Sequence, residues 1–88
     1  MYRISIDGQD IFDRTDLHDY LAYALDFPEY YGRNLDALHD LLMAHQDRLE
    51  IQIVHFDELH DHLGHYADRF LKLLLDVAEK NAFVTVLR

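Results

Sequence analysis

The sequence predicts a small two-layer α/β domain, with a three-stranded parallel sheet packed against helices, and three observations carry that prediction. YRISI at 2–6, IQIV at 51–54 and FVTVL at 83–87 are short segments rich in β-branched and aromatic residues, the composition of strands. Long stretches of helical periodicity separate each of them from the next, and such connections suit parallel pairing, in which every return needs a crossover. The chain has 88 residues and half of them are hydrophobic. That is enough for one modest core, so a single domain over 1–88 with a radius of gyration near 12 Å is expected.

The elements follow in order. Asp7-Gly8 supplies a turn after the first strand. Thr15 is a candidate helix cap. Beyond it Leu17, Tyr20, Leu21, Ala24 and Leu25 recur at helical spacing and make one apolar face. Pro28 disfavours helical geometry at Phe27 and ends this helix nearby. Asn34 is a good cap for a second helix, whose stripe is Leu35, Leu38, Leu41 and Leu42. Residues 56–63 read as a short or irregular helix. From Tyr66 to Lys80 a third strong helix carries apolar side chains over so broad an arc that more than one neighbour must cover it.

Seventeen acidic residues face eight Lys and Arg, a formal net charge of −9. This balance argues against contact with nucleic-acid phosphates and suits either simple solubility or a basic protein partner. There is no Cys, so no disulfide framework exists and a reducing compartment is suitable. The opening MYRISIDGQD lacks the apolar run of a secretory signal, and no segment approaches the length of a membrane span. A cytoplasmic monomer with no membrane association is the expectation.

FPEYYGRNLDALHDLL, at 27–42, is the most informative stretch. Asp36 and Asp40 are four residues apart, so they lie about 40° from one another around a helix, nearly opposite the leucine stripe. Both carboxylates should therefore face water, with His39 and Met43 beside them. Like charges at this spacing cost only about 0.2–0.5 kcal/mol, so a plain solvated face would tolerate them. The approach to the helix adds more. Tyr30 and Tyr31 offer rigid apolar area with a hydroxyl, a chemistry common at protein interfaces, and at least one of the two is expected to turn into the core. Gly32 permits positive φ, and Asn34 caps.

The stretch LDFPEYYGRNLDALHDLL resembles the barstar family of ribonuclease inhibitors. The likeness extends to the opening strand with its Asp-Gly turn, the TDLH start of the first helix and the closing FVTVL. PEYYG-x-NLDAL is its most specific part. The resemblance implies the barstar fold and a non-enzymatic, cofactor-free inhibitor that blocks the active site of a small basic secreted ribonuclease before export. It implies that Tyr30 is a contact tyrosine of the binding loop, and that Gly32, Asn34 and Leu35 are loop and helix-start positions at the interface. Asp36 then matches an acidic contact, and Asp40 the principal acid, which occupies a phosphate position in the nuclease. Asp76 stands where the family has a contact glutamate. His39 stands where members of the family carry Trp, and Arg33 where an acid is found. The chemistry is intelligible from the residues: a ribonuclease cleft gathers cations to bind phosphate, and helix-borne carboxylates can fill it through short, directional pairs with arginine. For Asp76 the simpler role is an ion pair one turn away with Lys72 or Lys80.

Competing functions are weaker. HFDELHDHLGHY, at 55–66, holds four of the seven histidines with Asp57, Glu58 and Asp61, but the spacing matches no zinc motif and His60 and His62 fall on different sides of a helix; no metal is expected. His39 beside two carboxylates is raw material for acid–base chemistry, yet no nucleophile or phosphate loop accompanies it. The alternative that stays open is an acidic module of the same fold binding a basic toxin or another non-nuclease partner.

Overall fold

The structure, a computed structural model, describes residues 2–88. Along the chain lie β1 (Tyr2–Asp7), α1 (Arg14–Ala24), α2 (Leu35–Met43), β2 (Leu49–Val54), α3 (Phe56–Leu63), α4 (His65–Lys80) and β3 (Val84–Leu87). The strands form one parallel sheet in the order β1-β2-β3, and the radius of gyration is 11.9 Å.

Register follows the apolar alternation. Ile4 pairs with Ile51, Ile6 with Ile53, and Leu49 with Val84. Side chains alternate along a strand, so these six project to one face, and all are buried. Ser5, Gln52 and Thr85 take the other face, which is exposed. Parallel sheets usually have both faces covered; this one has a single helical layer, and its open face carries an Arg3–Glu50 ion pair at 3.2 Å. Leu17 and Leu21 of α1, Leu38 and Leu42 of α2, and Phe70, Leu74 and Val77 of α4 fill the space above the sheet. The broad apolar arc of α4 is used as its width requires, against α2, α3 and β3, although Leu75 remains exposed.

Local details depart from sequence expectation at the cap of α1 and at the start of β2. The cap of α1 is Asp13, not Thr15: the Asp13 carboxylate accepts from the Asp16 amide at 2.8 Å, while the Asp16 carboxylate accepts from the Phe12 amide at 3.1 Å. Two charged acceptors compete better for the exposed amides than one hydroxyl, and Thr15 lies inside the first turn. α1 ends at Ala24, shortly before Pro28 as expected, and its last turn is closed by local bonds. The chain turns at Asp26, in the left-handed region with φ 54°, and the Phe27 amide donates back to the Ala22 carbonyl at 3.0 Å. This is the Schellman arrangement with aspartate in the place usually held by glycine. Finally, β2 starts at Leu49, two residues earlier than the IQIV run suggests.

Candidate functional site

Residues 28–34 are built by a sequence of local bonds. The Tyr31 amide donates to the Pro28 carbonyl at 2.9 Å, closing a turn that sends the two tyrosines in opposite directions. Tyr31 is 6% exposed and Tyr30 is 84% exposed. Phe27 packs on the Tyr31 ring at 4.8 Å between centroids. The positive φ of the loop belongs to Arg33, at 54°, rather than to Gly32. What Gly32 provides is room: a Cβ there would lie 3.0 Å from the Asn34 side-chain nitrogen and 3.4 Å from Ala37 Cβ. That side chain is the cap of α2. Its oxygen accepts from the Ala37 amide at 2.8 Å and its amide donates to the Gly32 carbonyl at 3.1 Å. Asn34→Ala is expected to lower stability by about 1 kcal/mol and to speed amide exchange at residues 35–37; unchanged protection of those amides would show the cap to be dispensable.

From this fixed start α2 presents its polar face. Asp36 and Asp40 are both exposed, Asp40 with 86% of its side chain accessible. Neither forms an ion pair with a Lys or Arg among the described residues. Asp40 lies beside His39, with Nδ1 at 3.9 Å. The other imidazole nitrogen of His39 lies 3.5 Å from Asp76 Oδ2. His39 therefore spans α2 and α4, and Asp36, Asp40 and Asp76 border one continuous surface. Asp76 is less available than the other two. Lys80 holds it at 3.1 Å, and this hydrogen bond, assisted by His39, keeps its carboxyl below the usual carboxylate range. Leu35 is only 8% exposed and contributes a cleft wall rather than a projecting contact. Arg33 is ion-paired with Asp19 of α1, so the cation in the loop is compensated within the chain.

Two residues that give the surface its shape were not singled out by sequence reasoning. Asn81, after α4, is buried; its amide donates to the Leu42 and His45 carbonyls at 2.9 and 3.0 Å, and its oxygen accepts from the Phe83 amide at 3.0 Å. One side chain thus ties the C-terminal end of α2 to the junction of α4 and β3. His18 is the second, 1% exposed on the inner face of α1. Its Nδ1 lies 2.5 Å from the Tyr31 hydroxyl and its Nε2 2.6 Å from that of Tyr66. A neutral imidazole donates through one nitrogen and accepts through the other, so both tyrosines are satisfied. The signal was present: His18, Leu21 and Leu25 share the i, i+3, i+7 spacing of the apolar face.

Burial, reinforced by the charge of Arg33, pushes the His18 pKa below its ordinary value. The unfolded chain then binds a proton more readily than the folded one, so stability is full above about pH 6.5 and falls as pH drops below it. His55 acts in the opposite sense: the hydrogen bond to Asp7 raises its pKa, so its stabilisation is present at low pH and lost as pH rises through the folded value. The net effect of His18 is the difference between wild type and His18→Gln in urea midpoints from pH 7.5 to 5. Wild type is expected to lose more on acidification, and parallel pH profiles would sink this assignment.

The histidines of 55–65 make ordinary bonds. His55 pairs with Asp7 at 2.9 Å, His60 with Asp68 at 3.0 Å, and His62 with the Ile11 carbonyl at 2.8 Å. Among the described residues no three His, Asp or Glu side chains converge as metal ligands would. Among the described residues no helix is long and apolar enough to cross a membrane.

A capped helix with exposed, unpaired carboxylates, set beside a second acid-bearing helix on a three-stranded parallel sheet, is the arrangement in which comparison with known proteins becomes informative. Residues 1–87 match the family described as Barstar (barnase inhibitor). The chain belongs to the barstar family. A relative in Bacillus subtilis (strain 168), which carries the name "Putative ribonuclease inhibitor YrdF", is 43% identical over 81 residues, covering 91% of this chain and 89% of the relative. The barstar fold implied by PEYYG-x-NLDAL is thus the fold the chain adopts. Within this barstar-family chain, the tertiary structure brings Asp36, His39 and Asp76 together on one groove between α2 and α4; Asp40 lies beside His39, and Tyr30, Gly32 and Asn34 belong to the loop that leads into α2.

Proposed function

We propose that this barstar-family protein is a cytoplasmic, non-catalytic inhibitor that docks on a small basic ribonuclease and fills its active site. Asp36 and Asp40 take the positions of RNA phosphates, with Tyr30, Gly32, Asn34, Leu35, His39 and Asp76 around them. One observation carries the reading: the two carboxylates of α2 stand exposed, and among the described residues no Lys or Arg is paired to them. Charges left unpaired on a rigid helix lose little freedom on docking and are available to a cationic cleft. The family's description as barnase inhibitor and the name of the Bacillus relative support the same partner class.

The test is direct. Barnase, the enzyme named in the family description, is mixed with the protein, and RNA cleavage and binding are followed together. Stoichiometric loss of cleavage supports the proposal. Binding without loss of cleavage would favour a basic partner other than a nuclease, and no binding to barnase or to any ribonuclease encoded beside this gene would reject it. The net charge of −9 adds a kinetic prediction. Long-range attraction is screened within about 10 Å at 0.1 M salt and about 30 Å at 0.01 M. The association rate is therefore expected to fall about tenfold or more between 0.01 and 0.5 M salt; a salt-independent on-rate contradicts electrostatic steering.

A further inference from the structure

Beside the acidic face lies a cleft of the opposite sign. Arg14 of α1 and Arg69 of α4 line an opening of about 510 Å³ whose floor includes the buried Tyr66 and His18. The Arg14 guanidinium carbon lies 4.2 Å from the Tyr66 ring centroid, and that of Arg69 lies 6.0 Å from it. Two cations thus converge on one aromatic ring, a placement that the ring's negative face favours. Neither arginine forms an ion pair or a side-chain hydrogen bond among the described residues. This is unexpected in a chain with 17 acidic residues against eight Lys and Arg, where cations should find acids easily. The third arginine of the cleft, Arg33, is already paired with Asp19. Asp36 borders the same opening yet pairs with none of the three.

We infer that this cleft receives a carboxylate side chain from the partner. Guanidinium groups bind planar oxyanions through paired N–H donors, and Arg14, steadied on the ring of Tyr66, is available to do so. A carboxylate rather than a free phosphate is indicated by position: Leu35 and Asp36 line both this cleft and the groove between α2 and α4. Arg69 also lines both openings, so a protein seated over α2 and this groove reaches the cleft that Arg14 and Arg69 share. The inference rests on the docking face proposed above and specifies its chemistry. The matching surface is basic at the centre and carries an acid at the rim above α1. Such a rim acid discriminates between partners, because a basic enzyme lacking it leaves two cations facing its own positive face.

The direction of one mutational effect decides the matter. If the partner presents only cations here, replacing Arg14 and Arg69 relieves repulsion and strengthens binding. If a carboxylate docks, the same change weakens it. Arg14→Gln/Arg69→Gln is expected to bind barnase about tenfold or more weakly, mainly through faster dissociation; unchanged or tighter binding overturns the inference. A second measurement needs no protein partner. The free protein is titrated with sodium acetate and, separately, with inorganic phosphate, while the guanidinium Nε–H signals of Arg14 and Arg69 are followed by NMR. Saturable shifts with acetate in the millimolar range, absent from the double variant, support a carboxylate site. Saturation by phosphate alone, or by neither anion, overturns it. Failure of the wild type to bind barnase would count against the ribonuclease reading, and the acetate titration would still decide this one.

Discussion

Asp40→Ala is expected to weaken the complex with the target ribonuclease by two to three orders of magnitude. Asp40 lies beyond the first turn of α2, its side chain is 86% accessible, and it pairs with no Lys or Arg among the described residues. In the free protein its loss removes nothing structural, so the variant should fold with wild-type stability. In the proposed complex the carboxylate would be enclosed among cations of the enzyme, and deleting one member of a buried charge pair strands the other at a cost of about 3–5 kcal/mol. That range corresponds to roughly 10² to several times 10³ in Kd. Asp36→Ala should follow with a smaller loss, because its position in the first turn also engages the helix dipole of the free protein. Asp76→Ala should cost least, since Lys80 and His39 already share its charge. Titration calorimetry at fixed salt measures all three. Equal affinities for wild type and Asp40→Ala would remove this residue from the interface, and a larger loss at Asp76 would place its centre on α4.

Gly8→Ala should cost the fold about 3 kcal/mol or more, while leaving the docking face itself untouched. Gly8 continues the β1 ladder, its amide donating to the Val54 carbonyl at 2.9 Å. A Cβ at this position would stand 2.1 Å from the His55 carbonyl oxygen and 2.6 Å from the Leu59 amide nitrogen. Both are backbone atoms, and they are bonded to one another, since the Leu59 amide donates to that same carbonyl. His55 is itself held in the left-handed region at φ 54°, with its imidazole against Asp7. The methyl group has no flexible neighbour to displace, so either α3 lifts from the sheet or the β1–β2 ladder parts. For a domain of this size total stability is about 4–13 kcal/mol, and a loss of this kind lowers the melting temperature by roughly 10 °C or more. Urea and thermal unfolding would show it. A change under about 1 kcal/mol would mean that the junction of β2 and α3 shifts more easily than its bonding suggests.

The strands and helices were legible because their signals are local. Alternation of Ile4 and Ile6 or of Ile51 and Ile53, the leucine spacing of α2 and the Asn34 cap all fall within a few residues, and the structure has each of them. So does the outward aim of Asp36 and Asp40, which follows from helical geometry once the leucines are turned inward. Where several residues could play one local part, the local signal did not settle the choice. Sequence reasoning named Thr15 as the cap of α1 and Gly32 for positive φ, and left open which tyrosine is buried; the structure has Asp13 at the cap, Arg33 at positive φ and Tyr31 in the core. Those choices were made by competition among nearby donors, acceptors and packing partners.

By itself, then, the chain determined an α/β domain with a capped helix whose acidic face points to water, because period, cap and turn chemistry act over single turns. Only the tertiary structure decided that His39 would reach Asp76, that Asn81 would bind the end of α2, that His18 would join Tyr31 to Tyr66, and that Arg14 and Arg69 would meet over one ring. Each of these involves residues well separated along the chain, and no local pattern encodes their distance. They exist because the order β1-β2-β3 and the apolar faces of α1, α2 and α4 leave one dense way to cover the sheet, which brings the polar faces of those helices together at its edge.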